Sequence, residues 1–182
     1  MITFVVHVEN KPGVLTRVAS LFRRRAYNIE SLTVGHTETA GVSRMTVVVD
    51  TNAEGAHHVE AHLYKLVNVL RVDNVTARPN VIRELALIKV STTARTRPEI
   101  FQLADVFRAR IIDVSNDSLV LELTGGAAKL DRLREVLEPY GVLEMARTGL
   151  LAMARGEGAA PDAGEPAVAR IDEAQPDIAY SV

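Results

Sequence analysis

The chain contains no cysteine and no tryptophan, and aromatic residues make up only 4% of it. Without thiols there is no disulfide, no thiolate nucleophile and no cysteine-ligated zinc or iron–sulfur site. The shortage of aromatic rings argues against a nucleic-acid reader that stacks bases on aromatic platforms. A formal net charge of −2 leaves no overall basic footprint for DNA or RNA. No apolar run approaches the length of a bilayer, and the opening Met1-Ile2-Thr3-Phe4 lacks the basic and long apolar regions of a secretory leader. These absences together predict a cytoplasmic protein with neither a nucleic-acid nor a membrane partner.

What is present is a repeated alternation of strand and helix periods. At 182 residues and 47% apolar content the chain is long enough for two small domains. Ile2, Phe4, Val6 and Val8 alternate with Thr3, Val5, His7 and Glu9, as in a half-buried strand. Asn10-Lys11-Pro12-Gly13 then breaks the pattern, and a helix with Leu15, Val18, Leu21 and Phe22 on its apolar face follows. Strands are predicted around 29–36 and 42–50, a second helix through Val59, Leu63, Leu66 and Leu70, and a closing strand over 69–77. The same order recurs: a strand over 85–90, a helix from Pro98 with Ile100, Leu103, Ala104 and Phe107 inside, and a hairpin of 111–114 and 119–123. A helix through Leu130, Leu133 and Leu137 and a strand over 142–145 complete it, so equivalent elements lie roughly 80 residues apart.

The predicted class is therefore α+β, with two tandem ferredoxin-like βαββαβ domains at 1–78 and 84–155 joined by a linker at 79–83. Residues 156–182 hold six acids (Glu157, Asp162, Glu165, Asp172, Glu173, Asp177) against one base, Arg170, and read as a flexible acidic tail. Without them the remainder carries 20 basic and 17 acidic residues. Strands 1 and 3 of the first domain are apolar on both sides, Val5 as well as Phe4 and Val48 as well as Val47. That pattern predicts a sheet face uncovered by helices, and with it a homodimer through the N-terminal sheets.

One constellation suits a small ligand. At Asn10-Lys11-Pro12-Gly13-Val14-Leu15 a strand ends and a helix begins, leaving backbone N–H groups and the positive end of a helix dipole directed outward. Gly13 permits close approach of a carboxylate, and Asn28 at the start of strand 2 is expected near the same end to receive an ammonium. A carboxylate, an ammonium and an apolar wall describe an aliphatic amino acid. On spacing alone, a Pro-Gly pair at a strand-to-helix junction is more often just a turn.

The motifs narrow this choice. Asn10-Lys11-Pro12-Gly13-Val14-Leu15 with Leu21-Phe22 resembles the opening of an ACT domain. Tyr27-Asn28-Ile29-Glu30-Ser31-Leu32-Thr33-Val34, Ser43-Arg44-Met45-Thr46 and Lys65-Leu66-Val67-Asn68-Val69-Leu70-Arg71-Val72 resemble the regulatory subunit family of acetolactate synthase. Phe107-Arg108, Ile111-Ile112-Asp113-Val114, Gly126 with Lys129-Leu130-Asp131, and Arg147-Thr148-Gly149 continue the resemblance, which spans about 2–156. It implies an N-terminal ACT domain, a C-terminal ACT-like domain and no catalytic site of the chain's own. It further implies a homodimer that activates a catalytic large subunit using thiamine diphosphate, Mg2+ and FAD, and that confers valine feedback on branched-chain amino-acid synthesis. The valine site of the family lies between two chains, and by position its residues here are Asn10, Gly13, Val14, Leu15, Asn28 and Ile29. Two departures stand out, Ala26 where glycine is usual and Asn68 where aspartate is usual. The alternative is a free-standing ACT-domain sensor for another pathway.

Other candidates carry less. His58 and His62 share a helix face, but Glu60 points elsewhere and no third ligand is spaced to join them, so a metal is not expected. Arg23-Arg24-Arg25 sit where a helix C-terminus favours cations. Gly125-Gly126 lacks the lysine of a phosphate-binding loop. An acyl-phosphate hydrolase on this fold would need an arginine in the loop after strand 1, which holds Asn10, Lys11 and Gly13 instead.

Overall fold

A computed structural model describes residues 1–156, so the acidic segment predicted as a tail lies, beyond Gly156, outside the described residues. The first unit comprises β1 (Ile2–Glu9), α1 (Val14–Arg24), β2 (Ile29–His36), β3 (Val42–Val49), α2 (Ala53–Leu63) and β4 (Val69–Asn74). The second comprises β5 (Asn80–Ser91), α3 (Arg97–Phe107), β6 (Arg110–Val114), β7 (Ser118–Gly125), α4 (Ala127–Leu137), β8 (Val142–Arg147) and β9 (Leu151–Ala154). Sheet orders are β2-β3-β1-β4 and β6-β7-β5-β8, with β9 added against β5, and every pairing is antiparallel. This is the expected pair of ferredoxin-like βαββαβ folds.

Alternation decides which strand face is covered by helices. Phe4, Val6 and Val8 of β1 and Met45, Val47 and Val49 of β3 bury against Val18, Leu21 and Phe22 of α1 and Val59 and Leu63 of α2. In the second unit Ala86, Ile88 and Val90 meet Leu119, Leu121 and Leu123, with Ile100 and Ala104 of α3 and Leu130, Leu133 and Leu137 of α4 above them. Two helix expectations shift. The first turn of α1 turns Val14 into the core and leaves Leu15 44% exposed. The second helix stops at Leu63; Leu66 packs on the core from the following turn and Leu70 lies on β4.

The helix-to-strand corners repeat. Past α1, Ala26 takes a left-handed conformation at φ 55°, and past α3, Arg108 does so at φ 53°, 82 residues on. The Tyr27 N–H donates to the Phe22 carbonyl (3.1 Å) and the Ala26 N–H to that of Arg23 (3.2 Å). This pair of bonds is the Schellman cap, whose usual apolar contact appears as Tyr27 edge-on to Phe22 at 6.4 Å. The Ala109 N–H to Ala104 and Arg108 N–H to Asp105 bonds build the same corner in the second unit. Ala26 thus occupies a backbone region that favours glycine, which gives its departure from the motif a physical meaning.

The second face of the N-terminal sheet corrects the sequence reading. Val5 and Val75 are buried there against Ala152, with Ile82 and Leu150 packed alongside. The residues responsible come from the same chain: Asn80–Arg83, in the segment expected to be a linker, open β5 and pair with β9 across Asn80↔Ala154 to Arg83↔Leu151. This ribbon lies over β1, so the two-sided apolar pattern of strand 1 is satisfied within one chain rather than by a second copy. The Leu150 N–H donates to Ser31 Oγ (3.0 Å), Thr33 Oγ1 donates to the Thr148 carbonyl (3.2 Å) and Arg44 donates to the Ala152 carbonyl. Between them sits Gly149, at φ 82°, where a Cβ would meet Ser31 Oγ at 2.8 Å and Thr33 Oγ1 at 2.9 Å.

Two stability changes follow. Ala26→Gly should raise the unfolding free energy by about 1 kcal/mol, because it removes the left-handed penalty of a Cβ. Gly149→Ala should lower it by about 1–3 kcal/mol, because both the backbone and the contact are unfavourable. Urea denaturation of the two variants beside the wild type measures both.

Candidate functional site

Where β1 ends, the chain makes a tight turn that α1 continues. The Asn10 N–H donates to the Gly41 carbonyl (2.7 Å), tying the loop to the β2–β3 turn, and the Lys11 N–H donates to Glu9 (3.0 Å). Gly13 then caps α1 in a left-handed conformation, φ 83° and ψ −7°, with no side chain completing the cap. The Val14 N–H is taken by the Lys11 carbonyl (3.3 Å) and that of Arg17 by Gly13 (3.0 Å). Among the described residues the Leu15 and Thr16 N–H groups have no acceptor, so the helix start keeps free donors facing outward. A Cβ built on Gly13 would meet nothing within 4 Å. Open space, free donors and the positive end of a dipole suit a carboxylate.

The loop is braced from below. Asn68 donates through Nδ2 to the Glu9 carboxylate and accepts through Oδ1 from Arg17 (2.7 Å), while the Glu9 N–H donates to the Asn68 carbonyl (2.9 Å). Lys11 pairs with the same carboxylate at 3.1 Å. The Asn68 amide, followed by the Lys11 ammonium, holds the Glu9 carboxyl below its ordinary pKa. The second departure from the motif therefore has a local role: the amide donates to Glu9 and accepts from Arg17 at once, where an ionised aspartate could only accept.

The predicted residues do not all come together. Asn10, Gly13 and Leu15 share one end of the sheet, and Val14 beside them is turned into the core. Asn28 and Ile29 lie at the opposite end. The register places Ile29 level with Val49 and Ile2, whereas Asn10 follows Glu9, which is level with Val42. Strands β1 and β2 run parallel two places apart, so the end of one and the start of the other are separated by the whole strand length, on the order of 20 Å or more. The expectation that Asn28 lies near the same end as Gly13 is thus corrected. Asn28 is exposed beyond the C-terminus of α1, its Nδ2 bonded to Glu30, while Ile29 packs partly against the core. The axis joining the two groups is α1 itself, whose outward side carries a shallow depression lined by Leu15, Thr16, Ala19, Ser20 and Arg23.

The repeat shows that the loop is specific to the first unit. The corresponding turn before α3, Thr92–Thr96, is closed by hydroxyls: the Thr93 N–H donates to Thr96 Oγ1 (2.9 Å) and the Thr96 N–H to Thr93 Oγ1 (3.2 Å). The Thr93 and Thr96 donors are consumed internally, and that of Arg97 by the Thr93 carbonyl (3.0 Å). No group of three or more His, Cys, Asp or Glu is placed to share a metal among the described residues.

The motifs that the ligand loop leaves unexplained meet at the junction of the two units. Arg147 grips Glu84 with two bonds (2.6 and 2.8 Å) and reaches Asp131 (2.7 Å). Those bonds, led by the Glu84 carboxylate, raise its pKa above the usual guanidinium value. Thr148 accepts through Oγ1 from the Leu85 N–H (3.1 Å), and Gly149 fits between Ser31 and Thr33. Sequence spacing offered no sign that these segments face one another.

Comparison with known proteins agrees with the motifs. Residues 4–71 match the family model of the AHAS small subunit-like ACT domain, and 83–156 match that of the small subunit of acetolactate synthase. The acetolactate synthase small subunit of Bacillus subtilis is 52% identical over 152 residues, covering 82% of this chain and 87% of the relative. That of Mycolicibacterium smegmatis is 47% identical over 154 residues, covering 85% and 91%. The crystal structure of the Thermotoga maritima small subunit superposes with a TM-score of 0.81 at 41% identity, covering 85% of this chain and 97% of that one.

The bracing of the loop has a measurable consequence. A carboxyl whose pKa is depressed in the fold contributes stability above its unfolded pKa and loses it as pH falls through the folded value. Asn68→Asp replaces the donor with a like charge, so the Glu9 pKa should rise and that acid-side contribution should shrink. Carboxyl titration by NMR checks the shift; an unchanged Glu9 would show that Asn68 does not set it.

Proposed function

The chain belongs to the acetolactate synthase small-subunit family, and from that premise we propose that it is a valine-sensing regulatory subunit. In this reading it has no catalytic site of its own. It binds and activates the catalytic large subunit, which joins two pyruvates to 2-acetolactate with release of CO2. Thiamine diphosphate, Mg2+ and FAD belong to that partner. Valine bound to the small subunit then feeds back on branched-chain amino-acid biosynthesis in the cytoplasm.

The observation that carries the proposal is the open start of α1. Free N–H groups at Leu15 and Thr16, beside a glycine with space in front of it, can take the carboxylate of an amino acid. Asn28 can take the ammonium, but not from the same chain, because α1 separates the two groups. A two-fold that sets α1 antiparallel to its copy brings Gly13 of one protomer to Asn28 of the other. The exposed Leu15 and the small residues Thr16, Ala19 and Ser20 leave room for such a crossing and supply apolar surface to a branched side chain. The proposed unit is therefore a homodimer holding two equivalent valine sites.

Gly13→Asp should abolish the valine response while leaving activation of the catalytic subunit largely intact. Its side chain fills the carboxylate position and repels the ligand. Aspartate tolerates the left-handed backbone better than most residues, so the fold should survive. Asn28→Ala should weaken binding by about 1–3 kcal/mol, the loss of one hydrogen bond to a charged group. Calorimetry on the purified small subunit, with light scattering to fix its oligomeric state, is the test. Wild-type valine affinity in Gly13→Asp, or a monomer that binds valine normally, would sink the proposed site.

A further inference from the structure

The face of the N-terminal sheet that the ribbon covers is not wholly apolar. Three basic residues stand side by side on it in register, Arg44 on β3, His7 on β1 and Arg71 on β4. Two guanidiniums flanking one imidazole give the row positive charge and hydrogen-bond donors that suit an anion. What surrounds it supplies only part of one. The row opens into a cavity of about 230 Å³ bounded also by Val5, Glu38, Asp73, Val75, Arg78, Met153 and Ala154. Three arginines against two carboxylates leave an excess positive charge.

The bonding of each group shows which charges are spent. Arg71 is paired with Asp73 through two contacts of 2.8 Å. Among the described residues Arg44 has no carboxylate partner; its guanidinium donates to Thr46 Oγ1 (3.2 Å) and to the Ala152 carbonyl. The Arg78 side chain, at the exposed mouth, has no partner among the described residues. His7 Nδ1 is buried without a hydrogen-bond partner among the described residues. A buried nitrogen left unmatched is unfavourable unless something satisfies it.

We propose that this chamber binds a small tetrahedral oxyanion of the phosphate class. Arg44 and His7 stand along one wall and Arg78 at the mouth, with Arg71 shared with Asp73, so three separated donors face one chamber, more than the two oxygens of a carboxylate can meet. The site is separate from the start of α1 and does not depend on the valine reading. It also has a structural consequence. The Arg44 guanidinium that an anion would recruit also holds β9 through Ala152, so the site adjoins the seam between the two units. Protonation is coupled as well. Burial and then the Arg44 charge hold the His7 imidazole below its ordinary pKa, with Arg71 in the same sense and Asp73 and Glu38 opposed. Arg78 stands at the mouth, and the β9 wall of Met153 and Ala154 adds no titratable group. An anion opposite His7 raises that pKa, so for a given ionic form of the anion binding is coupled to uptake of a proton at His7.

The test uses the full chain and inorganic phosphate, with the imidazole resonances of the histidines followed by NMR. The expected result is a saturable shift of His7, with a rise in its pKa, that chloride at equal ionic strength does not reproduce. Arg44→Gln should weaken the response by roughly tenfold or more, the loss of one charge-assisted contact. Arg78→Gln, at an exposed position, gives a second variant whose fold is not in question, and it should weaken the response in the same direction. No saturable change at His7, an equal change with chloride, or wild-type responses in Arg78→Gln would each overturn the proposal.

Discussion

A four-stranded sheet with helices on one side must do something with its other side, and that constraint governs this molecule. In the N-terminal unit the problem is acute because Val5, Val48 and Val75 place apolar surface where no helix can reach. The chain answers by extending β5 backwards and returning β9 alongside it, so that Ala152, Leu150 and Ile82 cover the centre of the face. The closing contacts are few, directional and dependent on close approach. Gly149 has to lack a side chain, Ser31 and Thr33 have to carry hydroxyls, and Arg44 has to reach the Ala152 carbonyl. Three motifs distant in sequence (around 31–33, at 44 and at 147–149) are one packing problem in space.

The duplicated units show what the family fold requires and what only one copy provides. Both turn from helix to strand through a left-handed residue, both bulge early in the strand that follows, and both bulge where the first strand meets the last. These features belong to the topology, because they set the twist that lets two helices lie on four strands. The turn before the first helix does not repeat. In the first unit Gly13 leaves it open, with donors unspent; in the second, Thr93 and Thr96 close it on itself. One copy leaves free donors at its helix start, and the other spends the donors of its turn on two hydroxyls.

Much of the fold was legible because period and burial coincide. Alternation in β1 and helical spacing in α1, α3 and α4 follow directly from which side chains reach the core. What was not legible has local causes. Leu66 and Leu70 continue the spacing of α2, yet the chain leaves the helix after Leu63; apolar periodicity reports a shared face, and a turn followed by a strand can supply the same face. Strand β9 reads Leu-Ala-Met-Ala, residues that favour helix, and forms because Asn80–Arg83 offer it an edge. The site was legible in composition and misplaced in space. Gly13 announces itself as a turn glycine, but the position of Asn28 depends on the direction of β2, which no local pattern encodes.

That misplacement carries the most weight for function. Were Gly13 and Asn28 at one end of the sheet, a monomer could bind an amino acid and the ligand would have no bearing on assembly. They lie at opposite ends of α1, so on the two-chain reading each ligand contacts both protomers. Ligand that binds the dimer and not the monomer stabilises the dimer by mass action, and the dimer in turn raises ligand affinity by the same factor. Sensing of this kind requires no large movement inside a protomer. It requires that the geometry of the two-fold differ slightly with and without ligand, and that the difference reach the partner enzyme. The ribbon is fastened to the back of the same sheet by Gly149 and Arg44, so β9 and the strands beneath it share contacts that a change in the twist of β1 and β3 would have to move.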